Sequence, residues 1–174
     1  MAGMLIYADL MRSATRYITI AEKENAKAIR LNSQIEDKIN RLDSLRRGML
    51  YVERGYEDLK ELSALLVEIE ELRDSLSTSK MRLKVNLASS VGYLVSMFKH
   101  LPETTSLPLP KMSGTLRQAV LIVRTSKDLC IDYSELASLS AQCDTFYKCI
   151  DRNVKTSMSD HFFNQIKLLQ NVIG

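Results

Sequence analysis

Two histidines, three cysteines and many helix-spaced carboxylates are the side chains of this sequence with chemistry to offer. Acid–base and nucleophilic catalysis usually need a histidine, or a carboxylate pair held in a pocket. His100 stands two residues before Pro102 and His161 at the start of the final apolar segment, both without metal-spaced Cys, Asp or Glu neighbours. Zinc is therefore not expected. Glu68, Glu70 and Glu71 lie close together, as they do on any long charged helix, with no Glu-x-x-His beside them to suggest a metal. No glycine-rich phosphate loop of either common kind is present. The expectation is a protein with no catalytic residues, no metal and no cofactor.

Cys130, Cys143 and Cys149 form no Cys-x-x-Cys pair, and their odd number argues against a disulfide scaffold. A reducing, cytoplasmic compartment is the expected setting. Each cysteine reads first as a small buried apolar residue. The opening residues have no basic segment ahead of their apolar stretch, and Asp9 follows at once, so they do not read as a secretory signal.

Lysine and arginine total 24 against 21 acids, a formal net charge of +3. That excess alone does not point to nucleic acid. Residues 53–74 carry eight acids and three bases, whereas 75–101 carry four bases and no acid. Two oppositely charged helices lying antiparallel would account for this. Arg41, Arg46 and Arg47 near Tyr51 and Tyr56 are the one candidate for nucleic-acid contact, and Tyr56 reads as core. Lys80, Arg82 and Lys84 ahead of an apolar run are the one candidate for a membrane surface.

The elements that carry these residues all read as helical. Residues 1–101 contain no proline, and the three prolines fall at 102, 108 and 110. This divides the chain into a helical region 1–101, a Pro-containing linker 102–114 and a C-terminal region 115–174. Alternating steps of three and four from Met4 pass through Tyr7, Met11, Ala14, Ile18, Ala21, Asn25, Ala28, Asn32, Ile35, Ile39 and Leu42. That is the pattern of a coiled-coil seam, over a helix of roughly 60 Å. Asn25 and Asn32 interrupt it seven residues apart, in the same slot, where a buried amide favours one register.

The pattern slips at Leu45, and Gly48 and Gly55 follow. A kink or hairpin turn is expected there, with a second helix over 56–76 folded back on the first. The hydroxyl run Ser75–Ser79 reads as its end, followed by another helix over 81–101. From Thr115 one amphipathic helix of about 40 residues is expected, capped by Ser113. Its stripe passes through Leu129, Tyr133, Leu136, Tyr147 and Ile150. A last helix is expected to use Phe162, Ile166 and Leu169.

The expected fold is all-α, an elongated helical bundle or coiled coil of long amphipathic helices. A long helix with one apolar face needs a mate. The expected function is therefore a structural or adaptor subunit assembling with itself or with other helical proteins. Its expected partner-binding residues are Met11, Ile18, Asn25, Asn32, Ile35, Ile39, Leu42, Leu129, Tyr133, Leu136, Tyr147, Ile150, Phe162, Ile166 and Leu169. A peripheral membrane- or nucleic-acid-binding helical module is the alternative.

Overall fold

Seam residues at three-four spacing make α1 a single helix, Ala2–Met49, in the computed structural model, which describes residues 2–49, 55–100, 107–149 and 157–174. At 48 residues it is about 72 Å long. It is followed by α2 (Gly55–His100), α3 (Leu109–Thr125), a 3-10 turn (Lys127–Leu129), α4 (Ser134–Lys148) and α5 (Ser157–Ile173). The described residues form no strand, and the fold is all-α.

The first two helices lie antiparallel. Ser90 donates to the Ala14 carbonyl at 2.6 Å, while Lys38 meets Glu68 at 2.8 Å and Arg41 meets Glu61 at 3.0 Å. Partners thus advance along one helix as they retreat along the other. Ala14, Ala21 and Ala28 are fully buried where the two helices meet, and such short side chains let helix backbones approach closely. The expected fold-back is present. The turn itself (50–54, with Tyr51) lies outside the described residues.

Three expectations about boundaries are corrected. First, Ser75–Ser79 does not end a helix, because α2 runs straight through it. Thr78 turns its hydroxyl back onto the Asp74 carbonyl at 3.2 Å, and Ser79 is buried. A hydroxyl satisfied by its own helix no longer competes for a cap. The acidic and basic stretches are therefore two halves of one helix rather than two neighbours.

Second, the helix after the prolines begins earlier than expected. Pro110 sits in the first turn of α3, where a missing N–H costs nothing. Ser113 is buried within that helix and is not its cap. Residues 109–114 are thus helical, and 101–106 lie outside the described residues.

Third, the expected 40-residue helix is broken at 126–133. Cys130 takes a left-handed conformation with φ 53°, which ends the 3-10 turn. Asp132 then accepts the Ser134 backbone N–H at 3.0 Å, an Asx turn that restarts the chain as α4. Ser126 and the Tyr133 hydroxyl, 2.6 Å apart, tie the two sides together.

The three shorter helices pack around one end of the α1–α2 pair. Thr125 at the end of α3 meets Asn25 of α1, and Ile131 and Asp132 lie beside Lys80 and Lys84 of α2. At the far end of α4, Phe146 stacks on Phe98 with ring centroids 5.9 Å apart. α5 returns antiparallel to α4, with Phe163 on Tyr147 and Lys167 on Asp144. One continuous core joins all five helices, from Tyr7 through Leu94 and Leu116 to Leu169. Leu45, Leu65 and Ile69 are buried outside it, toward the turn between α1 and α2.

Candidate interaction surfaces

The seam residues find their mates within the chain. Met11, Ile18, Asn25, Ile35, Leu129, Leu136, Tyr147, Phe162, Ile166 and Leu169 are all buried in its own core. Asn32, Ile39, Leu42 and Tyr133 are half-buried, and Ile150 lies outside the described residues. The surface on which another molecule can rest is therefore elsewhere. Tyr56, expected in the core, is 82% exposed, and Leu59 beside it is 50% exposed. Here the seam has already drifted off these positions, and α2 faces α1 with Leu65 and Ile69 instead.

Asn25 does make a specific contact. Its side-chain amide donates to the Thr125 hydroxyl at 2.7 Å, fixing α3 against α1, while its own carbonyl oxygen is buried without a hydrogen-bond partner. Thr125 also bonds the Leu121 carbonyl at 2.9 Å, so it keeps a partner if Asn25 is removed. Asn25→Leu is expected to stabilise the fold by about 1 kcal/mol, since an unsatisfied buried acceptor costs roughly that much or more. The midpoint of urea unfolding measures this. A lower midpoint would show that the amide contributes more than its orphaned oxygen costs.

The chemistry-bearing residues do not converge. His161 is exposed, and the His100 side chain lies outside the described residues. Among the described residues no three of His, Cys, Asp and Glu are grouped to hold a metal ion, and no helix is long and apolar enough to cross a membrane. Cys130 and Cys149 are exposed and Cys143 is buried, all three as free thiols. The reading as buried apolar residues thus holds for one of them.

Burial, with the Asp144 charge adding to it, pushes the Cys143 thiol up to about 12. A thiol near 12 is almost entirely protonated at neutral pH and unreactive. Iodoacetamide at neutral pH is expected to label Cys130 and Cys149 of the native chain and spare Cys143; peptide mass spectrometry reads this directly. Because the folded state holds this proton more tightly than the unfolded chain, whose thiol sits near 9.0, its contribution is complete below pH 9. It is lost as the pH rises toward 12.

Burial acts to raise the Asp144 carboxyl. Hydrogen bonds and charge from Lys167 at 3.1 Å and Lys148 at 3.3 Å outweigh it and hold the group below its usual range. This pairing contributes stability above the ordinary carboxylate range, and the contribution fades as the pH falls through the lowered value. It joins α4 to α5, while the second Asp144 oxygen is buried without a hydrogen-bond partner.

Two surfaces stand out among the described residues. A groove of about 750 Å³ runs along α1 beside the start of α3, with Met11 and Ile20 among its apolar lining and Arg12, Arg16, Lys23 and Lys111 around it. Arg12 is paired with Asp9 at 2.6 Å. The second surface is the side of α2 turned away from α1, where Leu66, Val67, Met81 and Val85 are all more than half exposed. Val67, Asp74 and Met81 recur every seven residues, so they lie on one line along that helix. Sequence reasoning missed this surface because it assigned residues 56–76 and 81–101 to two helices.

No family model, curated protein or solved structure matches the chain.

The three bases proposed for a membrane surface are partly neutralised. Arg82 lies 3.9 Å from Glu24, and Lys84 acts on the Asp132 carboxyl, which two bonds from Ser134 and that charge hold low. A shallow cleft of about 230 Å³ separates Lys80, Met81 and Lys84 from Cys130–Asp132.

Proposed function

We propose that this chain is a non-enzymatic helical assembly subunit of an intracellular complex. In this reading α1 and α2 form a coiled-coil-like hairpin about 70 Å long, braced at one end by α3–α5. The outer face of α2 docks other helical chains, or a second copy of this one. The observation that supports the reading is the exposure of Val67, Met81 and Val85 on a helix whose opposite face is already filled. Large apolar side chains left uncovered along one face mark a docking surface more often than scattered single ones do. Free thiols at all three cysteines accord with a reducing compartment.

The test is the double variant Val67→Glu/Met81→Glu. Both sites are exposed, so melting is expected to stay within about 0.5 kcal/mol of the parent. Affinity capture from the native source, with mass spectrometry, is expected to retain a stoichiometric helical protein on the parent chain and lose it on the variant. Equal recovery on both would overturn the reading.

The groove beside α1 favours a second reading, a module that holds polyanions. Three bases around one groove, besides the Asp9-paired Arg12, would make heparin or an oligonucleotide bind more weakly as salt rises. No retention at low ionic strength, or retention unaffected by Arg16→Glu/Lys23→Glu, would remove it.

A further inference from the structure

α3 carries three bases and no acid, and all three, Lys111, Arg117 and Arg124, are exposed. The buried residues of α3, Met112 through Val123, take its other side, so the bases share one outward sector with Gln118 and Leu121. Lys111 lines the groove along α1 beside Ala8 and Thr15, whereas Thr125 meets Asn25. The two helices therefore run side by side in the same direction. On α1, Arg16, Lys23 and Arg30 are exposed and recur every seven residues, forming one line about 21 Å long. The bases of α3 extend over about 20 Å beside it. Among the described residues none of these six cations pairs with an acid. Of the acids on this stretch, Asp9 is bound to Arg12 and Glu24 is half-buried toward Arg82, which leaves exposed Glu22 alone against six cations. Lys127 and Asp128, just past α3, offset one another.

We infer that this α1–α3 face binds the phosphodiester backbone of nucleic acid without reading its bases. Two parallel rows of cations, beginning at a groove of about 750 Å³, suit a linear polyanion laid along them. Four of the six are arginines, whose planar fork takes a phosphate through two hydrogen bonds. The face offers no ring for a base to stack on, since Tyr7 is buried and Tyr17 is stacked on Tyr93. An anionic bilayer fits less well, because Leu121 alone is a small apolar patch to insert. The inference rests on the groove reading above, names its ligand and extends it onto α3.

Fluorescence anisotropy of the full-length chain with a short labelled duplex, and with one of its strands alone, tests this. Both are expected to bind at about 50 mM salt and to lose at least about a hundredfold in affinity by about 200 mM. Duplexes of different sequence are expected to bind alike. Six neutralised phosphates correspond to a slope of log affinity against log salt of about −5 for the duplex. Arg117→Gln/Arg124→Gln, at two exposed sites, is expected to keep the parent melting temperature and flatten that slope by about two. Arg46→Gln/Arg47→Gln removes the same charge at the far end of α1, about 24 Å beyond Arg30, and is expected to leave the slope unchanged. Equal effects of the two variants overturn the inference, as does a strong sequence preference. So does binding to phosphatidylserine vesicles with none to either nucleic acid. If heparin retention still falls with Arg16→Glu/Lys23→Glu, those results leave the groove reading standing. If heparin is not retained either, both fall.

Discussion

Leu136→Asp is expected to abolish the folded state, whereas Ile39→Asp is expected to leave it largely intact. Leu136 is 2% exposed, just past the Asx turn that starts α4, and it belongs to the continuous core. An aspartate there loses the leucine packing, about 2–5 kcal/mol, and buries a carboxylate with no cation to meet it, which costs several kcal/mol more. Together these approach the entire stability of an ordinary domain. Ile39 lies at the edge of the same core but is only half-buried, on the stretch of α1 that faces α2 alone. Its aspartate can turn to water, and a cost of about 1–2 kcal/mol is expected. Far-ultraviolet circular dichroism and urea titration of both variants measure the contrast. Equal losses would show that the α1–α2 seam is as tightly enclosed at Ile39 as the core is at Leu136.

Phe162→Ala is expected to cost about 3–5 kcal/mol and to release α5. Phe162 is fully buried, with its ring centroid 5.7 Å from Phe98 and 6.0 Å from Tyr147. It is therefore the point where α2, α4 and α5 meet around aromatic rings, and such ring pairs add to the area they bury. Truncation removes both ring contacts at once and leaves a cavity beside Phe98. Amide hydrogen exchange is expected to quicken across α5 well before it does across α2. Uniform quickening of every helix would instead mean that α5 unfolds only with the whole molecule. The Lys167–Asp144 contact, with the lysine at 43% exposure, is too open to water to hold α5 in place by itself.

How much of this was legible in the sequence depended on what each signal measures. The seam of α1 was legible from Tyr7 through Ala28 and again at Ile35, with Asn32 between them half-buried, because burial at three-four spacing is a direct consequence of helix geometry. The all-helical class followed from the same cause. The continuity of α2 through Ser75–Ser79 was not legible, since nothing in a run of hydroxyls says whether they bond their own helix or cap its end. The break after Thr125 was hidden for a different reason. Leu129, Tyr133 and Leu136 keep helical spacing across a segment that is not α-helical, so the stripe looked unbroken. Asp132 and Ser134, two residues apart, were the local sign of a turn there. Most important for function, an apolar stripe reports that a face is covered and not which molecule covers it. Met11, Ile18 and Phe162 satisfied that demand within the chain, and the open apolar row on α2 was obscured by splitting the helix in two.

The unequal lengths of the helices have a mechanical consequence. α3 and α5, at 17 residues each, reach about 26 Å, little more than a third of the 48-residue α1. Beyond Asn25 on one side and Lys80 on the other, the two long helices steady each other alone, and Leu45, Leu65 and Ile69 form a small apolar knot of their own. Such an arrangement behaves as a cantilever clamped at its root: the free energy needed to loosen the packing between the two helices declines toward the tip. The chain itself joins the helices there, so the far end can loosen and re-form its contacts without parting while the clamp stays shut.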